Sequence, residues 1–231
     1  MATQAQILQF LQGPMVWVAL IVFIAGIIIQ SIRMWRFTQK RPPAELHLAA
    51  PPRRTEPDTR QHKWIRWTAR IKTTALGASP WLSAVSIIFH ICLFVTPLFL
   101  MGHNVLIESA TGISIPYFSE HTSDLLTVIV LGCGLFFLLR RLFLKRVRAI
   151  TSAYDFVLLA VALLPFLTGL LAHHHLLLEY NQMILVHMAA GELMLIMIPF
   201  SKFFHMIFFF FGRFFIVNEY SLGAPKRSWQ F

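Results

Sequence analysis

Five apolar runs, residues 14–30, 81–101, 125–139, 156–172 and 183–211, approach or exceed the length of a membrane-crossing helix, and they constrain this chain more than any motif does. About 20 mostly apolar residues span the hydrocarbon layer. Lipid offers no hydrogen bonds, so a spanning run must satisfy its backbone internally and folds as a helix. With 57% of its 231 residues apolar, the chain has too little polar surface to cover such helices in water. The expected fold is an all-α integral membrane protein, a five-transmembrane-helix bundle forming one domain over residues 1–231.

The formal charge of +10 then has a place to sit. Arg33, Arg36, Lys40, Arg41, Arg53, Arg54, Arg60, Lys63, Arg66, Arg70 and Lys72 crowd the first connection, 31–79, whereas 102–123 holds no Lys or Arg. Arg140, Arg141, Lys145, Arg146 and Arg148 fill the third connection, 173–182 is again free of them, and Arg213, Lys226 and Arg227 follow the last run. Lys and Arg are retained on the cytoplasmic side, so the alternation predicts an N-terminus outside and a C-terminus in the cytoplasm. The lipid bilayer is the expected partner of these runs, and nucleic acid is not expected to be one. The first run reads as a retained helix, because no basic segment precedes it and Arg33 and Arg36 follow it. Within the first connection, 41–58 has the composition of a linker. Residues 62–74 set Trp64, Ile65, Trp67 and Ile71 among Lys63, Arg66, Arg70 and Lys72, which suits a helix lying on the inner membrane surface; a plain basic loop is the alternative.

Ionisable groups at membrane depth are costly and mark ion paths or bound cofactors. His90 and His103 belong to the second run and its end, His187 and His205 to the fifth. His187 and His205 are 18 residues apart. On one continuous helix that separation is five whole turns, so they share a face about 27 Å apart along the axis. The second helix runs the other way, so His103 matches His187 in depth and His90 matches His205. Imidazole binds haem iron through one nitrogen, and the iron takes two axial ligands, so the two pairs predict two haems stacked across the membrane. The 13 residues from His90 to His103 leave those rings roughly 140° apart on an ideal helix. Pro97 lies between them, and a kink there is needed to bring both to one face. An interhelical hydrogen bond is the plainer role for any one of these rings.

Cys92 and Cys133 lie in apolar runs with no CxxC or CxxCH, which removes covalent haem, a thiolate zinc site and a four-cysteine iron–sulfur cluster within this chain. His173, His174 and His175 look like a metal tract, but three adjacent residues point in different directions, so they read as interfacial histidines. Ser152 and Asp155 read as a helix cap. Glu192, beyond His187, reads as a proton-relay group or a partner for a nearby donor.

Phe89-His90 and Gly102-His103, Arg140-Arg141-Leu142-Phe143 with Arg146-Val147-Arg148-Ala149, and Pro199-Phe200-Ser201-Lys202 leading to His205 together resemble the membrane cytochrome b (gamma) subunit of respiratory nitrate reductases. That family includes related subunits of sulfate-reducer electron-transfer complexes and of heterodisulfide reductases. The resemblance covers about residues 80–211. It implies a five-helix bundle in the cytoplasmic membrane of a prokaryote, with two haems b. The inner one would lie between His90 and His205, the outer between His103 and His187. It further implies an electron-transfer subunit of an oxidoreductase complex, exchanging electrons between a quinone pool of menaquinone type near the outer face and a cytoplasmic iron–sulfur subunit. Other membrane or periplasmic cytochrome subunits are implied as further partners. The long basic loop departs from the nitrate reductase branch and points to the sulfate-reducer type.

Quinol oxidation releases protons, and Glu108, Glu120, His121 and Asp124 in the outer connection are the candidate acceptors. Arg140, Arg141 and Lys202 are candidates to pair with the inner haem's propionates, with membrane topology as their alternative role. Other functions remain open beside the quinone-linked cytochrome. They are a haem relay from a periplasmic cytochrome c, a haem-free proton-coupled transporter, and a simple anchor.

Overall fold

The structure, a computed structural model, describes residues 2–39, 77 and 79–209. The expected linker 41–58 and surface helix 62–74, and everything from 210 onward, lie outside the described residues. Among the described residues, four helices are long and apolar enough to cross a membrane: Gln6–Arg36, Pro80–Phe99, Glu120–Phe143 and Ala153–His173. A fifth is counted if Tyr180–Met197 and Lys202–Phe209, bent by 67°, form one broken span. Exposed side chains include Ile21, Ile24, Ile28, Ile87, Ile91, Val128 and Leu135, whereas Thr96, Asn104, Ser123, Thr127, Thr168 and Glu192 are buried. Water would reverse that distribution, and lipid favours it, because hydrocarbon solvates isoleucine as well as a protein core does while polar groups must turn inward. The chain is a multi-pass, all-helical membrane protein.

Two compact units divide the chain. The first joins the N-terminal segment to the residues from Gly191 onward. It opens with α1 (Ala2–Phe10), a widened turn (Leu11–Met15) and α2 (Val16–Gln39), so helix extends well past the expected 14–30 at both ends. The apolar run marks only the part of the helix that lipid can hold. Pro14 lacks an N–H and crowds the carbonyl one turn back, and the wide turn around it absorbs both defects without breaking the helix.

The fifth run behaves differently. It forms α8 (Tyr180–Met197), then breaks before a 3-10 turn at Lys202–Phe204. Pro199 is fully buried in the break, and Ser201 is extended, its Oγ accepting Phe203 N–H at 3.2 Å to start the new turn. Two partners on α2 stabilise the break. Gly26 has no Cβ, and one built there would stand 2.6 Å from Pro199 Cγ; Gln30 Nε2 donates to Pro199 O at 3.2 Å. The described part of the fifth run is thus not the continuous helix expected over 183–211, and the common face and axial spacing of His187 and His205 no longer follow from helix geometry.

The second unit runs from Asp58 to Ala190. It contains α3 (Pro80–Phe99), α4 (Met101–Thr111), α5 (Glu120–Phe143), α6 (Lys145–Arg148), α7 (Ala153–His173) and the start of α8. Its core is Phe89 and Cys92 of α3, Val130 of α5 and Phe166 of α7, flanked by Leu93, Leu126, Ile129, Phe137 and Leu163. Gly134 admits Leu163, whose methyls would collide with any Cβ there. Caps extend the helices beyond their apolar runs. Ser119 Oγ accepts Thr122 N–H and starts α5 at Glu120 rather than at 125, and Asp155 accepts from both Ser152 N and Ser152 Oγ at 2.9 Å at the start of α7.

The second run is also two helices. Leu100 is extended (φ −76°, ψ 129°), so α3 ends at Phe99 and α4 starts afresh at Met101. A break in the membrane leaves carbonyls that only protein can satisfy. His103 Nδ1 donates to Pro97 O at 2.9 Å, Asn104 Nδ2 to Leu98 O and Leu100 O at 3.2 Å, and Phe118 N to Phe99 O at 2.9 Å. In place of the kink expected at Pro97, the helix breaks fully three residues after it, at Leu100.

Candidate functional site

His103 and His187 meet. Their ring centroids are 5.9 Å apart with planes 19° from parallel. His103 stands in the first turn of α4, held by its bond to Pro97 O. His187, on α8, leans on α7, where Nδ1 lies 2.9 Å from Pro165 O and 3.3 Å from Thr168 Oγ1. Gly169 makes the approach possible, since a Cβ there would fall 3.0 Å from His187 Cε1 and 3.2 Å from Nδ1.

A carbonyl oxygen only accepts, so the proton of each ring is on Nδ1 and the lone pair on Nε2. No hydrogen bond occupies Nε2 of either ring among the described residues. His90 and His205 repeat the carbonyl contact, each in its own unit: His90 Nδ1 is 2.6 Å from Ser86 O, and His205 Nδ1 is 2.8 Å from Lys202 O. A backbone carbonyl thus fixes the same tautomer in all four rings. Metal-binding histidines have this tautomer and this kind of support.

Sequence reasoning missed the signal that fixes these rings, because the accepting carbonyls belong to backbone and lie beside prolines, helix breaks and preceding turns. The remaining candidates disperse. Glu108, Glu120 and His121 are not buried. Asp124, one turn into α5, is bridged by His174 Nε2 at 3.0 Å with His173 Nε2 at 4.0 Å. Two of the tract's three histidines thus face Asp124, while His175 turns away to Tyr180, with ring centroids 5.2 Å apart. Arg140 and Arg141 are half-buried in the last turn of α5. Arg141 Nη1 donates to Asp155 O at 2.9 Å and, with Arg148, Thr151 and Phe156, lines a cavity of about 520 Å³. Lys202 lies in the other unit, where its carbonyl holds His205. Glu192, also there, is 6% exposed, and its Oε1 has no hydrogen-bond partner among the described residues.

No family model matches the chain. No solved structure matches it. It is 34% identical over 224 residues to a protein of Nitratidesulfovibrio vulgaris (strain Hildenborough), an alignment covering 95% of this chain and 96% of that one. Identity at that level along nearly the whole of both chains shows common descent, and this chain belongs to the same family as the Nitratidesulfovibrio vulgaris protein.

Proposed function

We propose that this chain is a membrane-anchoring di-haem cytochrome b subunit of a respiratory complex, passing electrons between a quinone pool near the outer face and a cytoplasmic iron–sulfur partner. The N-terminus is outside and the C-terminus inside, from the basic loops, and the resemblance to the nitrate reductase gamma family supplies the haem count, the membrane and the partner. The observation that carries the reading is the pairing of His103 with His187, both with Nδ1 tied to a backbone carbonyl and ring centroids 5.9 Å apart. Each ring, with its proton held on Nδ1, keeps an Nε2 lone pair that could be given to one haem iron between them. The donor set therefore fits haem iron. The resemblance assigns His90 and His205 to the second haem, and their tautomers agree with that role.

When bound, b-type haem supplies one-electron exchange at its iron, tuned by axial ligands and burial. The chain's own work is positioning. Pro97 O and Pro165 O fix the tautomer and aim of His103 and His187, and Thr168 supplements the second. Arg140 and Arg141 offer guanidinium donors for propionates, with Arg141 already anchored on Asp155 O. Asp124 and its histidines offer bases for protons released from quinol at the outer end.

One observation favours a second reading, a haem-free proton-coupled transporter: the buried carboxyl oxygen of Glu192, which has no hydrogen-bond partner among the described residues. A pyridine-haemochrome assay on the purified chain separates the two. Two haems b per chain are expected, with one lost in His187→Ala and one in His205→Ala. A colourless preparation with ligand-dependent transport would favour the second reading, and unchanged haem content in both variants would refute the ligand assignment.

A further inference from the structure

We propose that Asp124, His173 and His174 form a binding site for a first-row divalent transition-metal ion of the zinc class, joining the C-terminal end of α7 to the first turns of α5. One ligand atom from each residue lies within 4.8 Å of the other two. Around Asp124 Oδ2 the two imidazole Nε2 atoms stand at 3.0 and 4.0 Å. Tetrahedral ligands bonded at 2.0–2.2 Å are separated from one another by about 3.4 Å, so these distances bracket what a single ion requires. An ion pair alone explains less. It needs one imidazole, and here two converge on one carboxylate oxygen, their rings 4.9 Å apart and at 75° to each other.

The backbone explains why two histidines of the tract converge and the third does not. His173 ends α7 and His174 caps it, its N–H still bonded to Leu170 O at 3.1 Å, so both remain on the helix end that faces α5. His175 then takes φ +53°, in the left-handed region, and its ring swings to Tyr180. The side chains of His173, His174 and Asp124 are 44%, 47% and 31% exposed, open enough for an ion to enter from water. Two imidazoles and one carboxylate suit zinc, cobalt, nickel or copper, whereas magnesium and calcium seek oxygen alone. A fourth position is left for water, as in open zinc sites. None of these residues is assigned to haem, so the site stands or falls apart from the cytochrome reading. An ion there would also occupy Asp124, one of the candidate proton acceptors.

The test uses the full chain in detergent, purified without a polyhistidine tag, stripped with chelator and equilibrated by dialysis against buffered Zn²⁺, with bound metal read by elemental analysis. One tight equivalent is expected. Asp124→Asn, His173→Gln and His174→Gln should each weaken zinc binding by at least about tenfold, the lower end of what disturbing even a supporting group costs a metal site. His175→Gln should leave it unchanged. If Asp124→Asn does not fold, the two exposed histidine variants decide. Affinity unchanged in both, or an equal loss in His175→Gln, would overturn the site.

Discussion

Gly169→Ala and Gly132→Ala are the same substitution in two membrane helices, and they should have opposite consequences. In a helix interior alanine is favoured over glycine by about 1 kcal/mol. At Gly132 nothing lies within 4 Å of the added Cβ, so that preference is realised in full and the variant should be slightly more stable. At Gly169 the Cβ would stand 3.0 Å from His187 Cε1 and 3.2 Å from Nδ1. The ring must withdraw from α7, at an overpacking cost of about 1–3 kcal/mol. If it withdraws far enough to lose Pro165 O, a further loss of about 1 kcal/mol follows. The helix preference applies to both positions and cancels, so the two variants should differ by about 1–4 kcal/mol, the overpacking and hydrogen-bond terms together, with Gly169→Ala the weaker. Thermal melting in detergent measures the gap. The haem spectrum gives the functional arm, because His187 would be displaced from its place 5.9 Å from His103, and on the proposed di-haem reading one haem should bind weakly in Gly169→Ala and normally in Gly132→Ala. Equal melting temperatures with equal haem content would show that the ring's seat on α7 has no consequence, and the positioning account would be wrong.

Other perturbations test the same logic elsewhere. Asn104→Leu removes the donor to Leu98 O and Leu100 O and should destabilise the protein by about 1–3 kcal/mol, measured by melting; on the proposed di-haem reading it should also weaken one haem, because His103 is the preceding residue. Gln30→Leu leaves Pro199 O without its α2 donor and should cost about 1 kcal/mol, measured by melting, while leaving unchanged any haem bound by His103 and His187 under the proposed reading. Gly134→Ala should destabilise by about 1–3 kcal/mol through collision with Leu163, and the double variant Gly134→Ala, Leu163→Ala should recover part of the loss, a coupling that a double-mutant cycle reads directly.

The spans were legible because hydropathy reports what lipid will hold, and the described helices cover the second to fourth expected runs and most of the fifth. Their true ends were not, because Ser119 and Ser152 cap turns containing Glu120, Asp124 and Asp155, residues that hydropathy counts against a helix. The break in the fifth run had a visible cause in Pro199, yet its stability depends on Gly26 and Gln30 in α2, 169 residues away for the Gln30 bond, and no local pattern carries that. Asp124 and His174 were each noticed separately, and only the packing of α5 on α7 brings them to 3.0 Å.

His103 and His187 acquire the same tautomer in two ways, and only the first follows from the constraint that a carbonyl in hydrocarbon must be claimed by protein. At Pro97 the constraint acts through a break. Extended Leu100 ends the helix, so the amide that would have bonded Pro97 O one turn on is carried away with α4, and the side chain of His103 takes its place. At Pro165 the helix continues, and its carbonyl already faces the N–H of Gly169 one turn on. A side chain at that position would lean back over the carbonyl. Glycine leaves the oxygen uncovered, so its second lone pair accepts from His187. The same proton-fixing contact is thus made by removing a turn in one helix and by removing a side chain in the other. The first device satisfies a carbonyl that lipid would leave bare and the second uses the spare lone pair of one already bonded, and each holds an imidazole with Nε2 unprotonated, which is the condition for binding a metal.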